Sequence, residues 1–100
     1  MFSRQVNVHP EAVAEAQMAT RWYRKRSALA ARAFVSELDR AIEKIAEAPD
    51  IWSPYVGGTQ RFFLKRFPFS VVYRLVSDKI EVVAIAHGRR KPGYWKKRLV

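Results

Sequence analysis

Hydrophobic and polar positions change period along this chain, and the changes divide it into elements. From Phe2 to Val8 apolar and polar residues alternate, with Phe2, Arg4, Val6 and Val8 on one face, which predicts a short strand. From Pro10 the period lengthens. Ala12, Val13, Ala16, Ala19 and Tyr23 recur at helical spacing, and Pro10 falls in the first turn, where a missing N–H costs nothing. Glu11 and Glu15 lie near the positive end of that helix, while Arg21, Arg24, Lys25 and Arg26 crowd its negative end. Trp22 and Tyr23 point about 100° apart on a helix. One is therefore expected to pack between helices and the other to line a groove open to a partner. Ser27 suits the N-cap of a second helix. That helix carries the clearest stripe in the sequence, Phe34, Leu38, Ala41, Ile42 and Ile45, with Glu37, Arg40, Glu43, Lys44 and Glu47 on its other side. Pro49-Asp50 ends it, and Trp52 beyond is expected to act as a lid on the core.

The segment from Ile51 to Thr59, with Pro54 and Gly57-Gly58, reads as a turn region. From Gln60 the period falls to two. Arg61 to Arg66 predicts a strand, broken at Phe67-Pro68. In the next strand Phe69, Val71, Tyr73 and Leu75 alternate with Ser70, Val72, Arg74 and Val76. Ser77-Asp78 forms a hairpin turn, Ile80 to His87 a central apolar strand, and Gly88 stops it. The tail from Arg89 to Val100 reads as a loop or a short terminal helix. The order β-α-α-β-β-β predicts an α+β fold in one domain, residues 1–100. Two antiparallel helices should cover one face of a mostly antiparallel four-stranded sheet. The other face should carry Arg74 and its neighbours toward solvent or a ligand, with Glu81 as a cross-strand partner for Arg74.

Composition narrows the chemistry. A chain of 100 residues buries one modest core. It has no cysteine, which excludes disulfides, thiolate metal sites and a cysteine nucleophile, and its two histidines are too few for a His-rich metal site. No metal or cofactor is expected. No apolar run reaches the length of a membrane span and the first residues are polar, so the expected compartment is the cytoplasm. The formal net charge is +10 and it is unevenly placed. Residues 1–51 hold 8 basic and 7 acidic side chains, whereas residues 52–100 hold 11 basic and 2 acidic. Such a field attracts polyanions or acidic protein segments. Its densest part is Arg89, Arg90, Lys91, Lys96, Lys97 and Arg98, six cations without an acid. Tyr94 is interleaved with them and could stack on bases, while Trp95 is expected to fold back as a core anchor. His9 should cap or flank the first helix. Alternation groups His87 with Val83 and Ile85, so a hydrogen-bonding role at the strand end is favoured over catalysis.

The stretch RFFLKRFPFSVVYRLVSDKIEVVAIAHGRRKPGYWKKR resembles the RelE/ParE superfamily of bacterial type II toxins. The features are a strand ending in basic residues, an FPF-then-VVY strand, a hairpin, an apolar strand ending in AHGRR and a YWKKR tail. The WY pair late in helix one, Phe34 and Leu38 in helix two, and Pro49 followed by Trp52 extend the likeness over nearly the whole chain. The resemblance implies a small toxin silenced by an acidic, partly disordered antitoxin in a hetero-oligomeric complex. It implies either of two targets. RelE-like relatives cleave messenger RNA in the ribosome, and ParE-like relatives poison DNA gyrase.

An RNA-cleaving site needs a base for the ribose 2′-OH, cations for the charge on phosphorus and an acid for the leaving oxygen. The candidates are Arg90, Tyr94, His87 and Arg61. Lys65, Arg66, Arg74, Arg89, Lys91, Lys96, Lys97 and Arg98 are candidates for target or phosphate binding, and Trp22 and Tyr23 for antitoxin binding. Arg90 resembles the arginine that follows the last strand in RNA-cleaving relatives. Where those relatives carry a glycine and, two positions on, an arginine, this chain has Pro68 and Ser70. Their paired lysines have no clean counterpart among Arg61, Phe63 and Lys65. An incomplete set favours the ParE-like branch. Ribosome-dependent RNA cleavage ranks second, and an inactive antitoxin-binding module third.

Overall fold

The computed structural model of the chain describes residues 4–100. Its order is β1 (Val6–Val8), α1 (Pro10–Arg26), α2 (Ala28–Glu47), β2 (Ser53–Tyr55), β3 (Thr59–Phe63), β4 (Phe69–Val76) and β5 (Lys79–His87), with short 3₁₀ turns at Pro49–Ile51, Val56–Gly58 and Lys96–Leu99. The helices join at one extended residue. Ser27 donates its N–H to Tyr23 O at 2.8 Å, closing α1, and its Oγ accepts the Ala30 N–H at 3.1 Å, opening α2. The start of α1 is capped by His9, whose Nδ1 accepts the Glu11 N–H at 3.1 Å. The α2 stripe turns Phe34, Leu38, Ala41 and Ile45 into the core. Tyr23 packs its ring against Phe34, Phe67 and Phe69 at centroid distances of 5.3, 5.0 and 6.5 Å. Its neighbour Trp22 stays 51% exposed, as their divergence on the helix requires. Trp52 is half-buried on the core, edge-on to Phe62.

The helices cover one face of a sheet that departs from the expected one. Among the described residues it has five strands, in the order β1-β5-β4-β3-β2. β1 is parallel to β5, and the other pairs are antiparallel. The added strand is Ser53–Tyr55, in the segment expected to be a turn. Three residues are too few to show alternation, and Pro54 is tolerated because β2 is an edge strand, where a ladder N–H can be dispensed with. Of the expected strand Phe2–Val8, residues 1–3 lie outside the described residues, and Arg4 donates its N–H to Ala46 O rather than to the sheet. β3 ends at Phe63, short of the expected Arg66. The Ser77-Asp78 turn is as expected, with Ser77 at φ 57, the left-handed conformation such a loop favours at its first position.

Between β4 and β5 the register skips a residue. Val72 opposes Ala84 but Tyr73 opposes Val82, leaving Val83 as a bulge. The bulge moves Val83 to the far face, away from Ile85, so the expected grouping with His87 fails for Val83. That far face is not open along its length. Val72, Val83, Ala84 and Ala86 form a second apolar cluster, and the tail lays Trp95, 1% exposed, across it. The sheet is thus covered by helices on one side and by its own C-terminus on the other.

The turn between β3 and β4 is tied to α2 by one carboxylate. Glu37 Oε2 accepts the backbone N–H groups of Lys65 and Arg66, and Oε1 accepts Arg66 Nε at 3.0 Å. These donors would have continued β3, which explains its early end. Burial alone would raise the Glu37 carboxyl above its usual range, but the two N–H groups and the guanidinium outweigh it and hold it below. A depressed carboxyl contributes stability that is present above its unfolded-state value and lost as pH falls through the folded one. Glu37→Gln should therefore melt below wild type at neutral pH, and the gap should close in acid below the ordinary carboxyl range. Thermal melts across pH check this. A gap that persists in acid would place the effect elsewhere.

Candidate binding surface

The C-terminal tail is held by one acid of α1. Glu15, near the start of the helix, reaches the uncovered edge of β5 beyond the last β1 pair. Its Oε1 accepts the Ile85 N–H and Arg98 Nη1, each at 2.9 Å, and its Oε2 accepts Arg98 Nη2 at 2.9 Å and the Tyr94 hydroxyl at 2.6 Å. Arg98 Nη1 also donates to Val83 O at 3.0 Å, the carbonyl of the bulged residue. Burial, and then the Glu15 carboxylate, push the Tyr94 hydroxyl well above its usual range. It keeps its proton and remains a donor to Glu15.

Four of the residues named from the sequence meet at one place. Arg61, His87, Arg90 and Tyr94 line a cleft of roughly 320 Å³ on the tail side of the sheet. Arg90 lies over the Tyr94 ring at 3.8 Å, and His87 Nδ1 accepts the Arg89 N–H at 3.0 Å. The Arg61 guanidinium carbon lies over two rings, 3.9 Å from the Tyr55 centroid and 4.5 Å from the Phe63 centroid. Neither ring was singled out from the sequence. Tyr55 fell in a supposed turn, and Phe63 was read only as a departure from a lysine. Lys91 completes the rim, and Arg89, Lys96 and Lys97 are exposed beside it.

The remaining candidates lie elsewhere. Arg74 pairs with Glu81 at 2.7 Å and donates Nη1 to Leu99 O at 3.0 Å, so it anchors the end of the tail. Lys65 and Arg66 border a separate hollow beside α2 with Arg40 and Lys44. Arg98, expected in the free basic cluster, is enclosed, with its side chain 9% exposed. A second cavity of about 370 Å³ lies on the helix side, where Met18, Trp22, Tyr23 and Phe69 meet His87 and Arg90. Met18 and Trp22 are 63% and 51% exposed there, and Arg26 covers the Trp22 ring at 3.5 Å. Among the described residues no helix is long and apolar enough to cross a membrane.

Comparison with known proteins agrees with this architecture. The fold superposes on a chain of a structure titled "Chromosomal ParDE TA system from P. aeruginosa" with a TM-score of 0.74, covering 85% of this chain and 96% of that one at 17% identity. Two curated proteins from strains of Mycobacterium tuberculosis, each called Toxin ParE2, are 27% identical over 55 residues. The match takes in 55% of this chain and spans about half, 52%, of theirs. The family described as "ParE toxin of type II toxin-antitoxin system, parDE" matches residues 6–92. With that match running from β1 through the rim of the cleft, the chain belongs to the ParE toxin family.

Proposed function

We propose that this chain is the toxin of a type II toxin–antitoxin pair and that it arrests growth by occupying DNA gyrase, without chemistry of its own. One observation carries the reading: two candidates for acid and base, the Tyr94 hydroxyl and His87 Nδ1, are engaged within the protein's own structure. The Tyr94 hydroxyl is committed to Glu15, His87 Nδ1 to the Arg89 N–H, and the Arg90 guanidinium rests on a ring. The Tyr94 hydroxyl, held by Glu15, is not free to protonate a leaving oxygen. A cationic surface with its side chains held this way is suited to grip rather than to cut.

The silencing partner is an acidic, partly disordered antitoxin that orders on binding. Exposed Met18 and Trp22 beside Arg90 suit an amphipathic acidic segment, whose apolar side chains must offset the entropy of ordering. In a supercoiling assay with purified gyrase, the protein should block supercoiling and accumulate cleaved DNA, and adding the antitoxin should restore activity. Full supercoiling at saturating protein would remove gyrase as the target. Convergence of Arg61, His87, Arg90 and Tyr94 on one cleft keeps ribosome-dependent RNA cleavage as the second reading. An inactive module would leave growth unaffected when overexpressed.

A further inference from the structure

Three arginines of this fold are held by an acid. Arg98 has Glu15, Arg74 has Glu81 and Arg66 has Glu37. Arg61 breaks the pattern. It is half-buried, its Nε is fully enclosed, and among the described residues that nitrogen has no hydrogen-bond partner. Arg90 and Lys91 line the same cleft, and among the described residues no Asp or Glu does. An enclosed guanidinium N–H without an acceptor is unfavourable until one arrives. Tyr55 and Phe63 bring aromatic rings to the lining. Phe63 is 56% exposed, Tyr55 is half-buried, and the Arg61 guanidinium lies over both rings.

We propose that this cleft binds single-stranded nucleic acid and holds it uncut. Phosphates would pair with Arg61, Arg90 and Lys91, and an unstacked base would lie against Phe63. Rings and guanidinium planes are the faces on which exposed bases stack, and a duplex conceals its own base faces. An acidic peptide would satisfy the charge but leave those faces unused. The cleft holds roughly 320 Å³, suited to one splayed nucleotide. The Tyr94 hydroxyl, held by Glu15, does not serve as an acid for cutting. This inference goes beyond the toxin reading and does not rest on it.

The test uses the purified protein alone and a fluorescein-labelled oligothymidylate, followed by anisotropy. Binding should weaken steeply between about 50 and 200 mM salt. Arg61→Gln and Phe63→Ala should each weaken it about tenfold, whereas Arg32→Gln, an exposed cation on α2, should leave it unchanged. The oligonucleotide should be recovered at full length. Superimposable thermal melts establish that each variant is folded, and Phe63→Ala, at an exposed ring, decides the matter if Arg61→Gln is not. The proposal is overturned if the protein does not bind, if Arg32→Gln costs as much as the cleft variants, or if a duplex binds as well. Displacement by poly-glutamate at matched charge would equally overturn it, pointing to an acidic protein as the occupant. Because gyrase is absent from the assay, failure of the gyrase reading leaves this result standing, and the reverse.

Discussion

Glu15→Ala should lower the melting temperature further than any other single charge removal in this protein. The carboxylate is 15% exposed and the Arg98 side chain 9%. Alanine removes the acceptor for both Arg98 Nη atoms, for the Tyr94 hydroxyl and for the Ile85 N–H. Breaking one side of an enclosed ion pair costs about 3–5 kcal/mol, mostly because the stranded charge cannot reach water. For a domain of this size each kcal/mol is worth about 4–8 °C, so the midpoint should fall by more than about 10 °C. Glu11 is the internal comparison. It also approaches Arg98, at 3.7 Å, but is 66% exposed, and Glu11→Ala should stay within about 0.5 kcal/mol of wild type. Circular-dichroism melts at neutral pH compare the two. Equal midpoints would mean that the Glu15 network holds nothing together.

Trp95→Ala should be nearly as damaging and should act on the surface as well as on stability. The ring is almost fully buried between the far face of the sheet, Tyr55 and Leu99. The chain passes beneath it at Gly57, whose φ of 73 disfavours a residue with a side chain. Removing an indole from such a site costs about 3–5 kcal/mol. Local consequences should exceed global ones, because the tail would lose its one large apolar anchor while Arg74 and Glu15 still hold its end. Brief trypsin treatment under native conditions reads this directly. Cleavage after Arg89 or Arg90 should accelerate in the variant before the rest of the domain is attacked. Unchanged protection of those bonds would show that the polar contacts suffice.

Much of the fold was legible because it is local. The Phe34–Ile45 stripe, the Ser27 junction and the alternation from Phe69 to Val76 are patterns within a single element, and each element forms as read. Trp95 was legible for a different reason, since a large apolar ring in a cationic tail has few places to go. The errors lie where distant parts meet. β2 is three residues long around a proline, too short for a periodic signal, and the parallel pairing of β1 with β5 depends on where the helices return the chain. The bulge at Val83 reverses the phase of a strand apolar on both faces, so nothing in its pattern marks it. Glu15 and Glu37 looked like solvated helix residues. Their partners lie 70, 79 and 83 residues away for the first and 28 and 29 for the second. In the site, sequence grouped the cations, of which only Arg61, Arg90 and Lys91 line the cleft, and it could not tell enclosed Arg98 from exposed Lys96, or find the rings beside Arg61.

The account stands on a surface that grips without cutting, and mapping the 5′ ends of messages in cells arrested by the induced protein tests this most directly. Messages should stay intact while growth stops, in wild type and in Arg90→Ala alike. Codon-phased cuts that appear on induction and vanish with Arg90→Ala would contradict it.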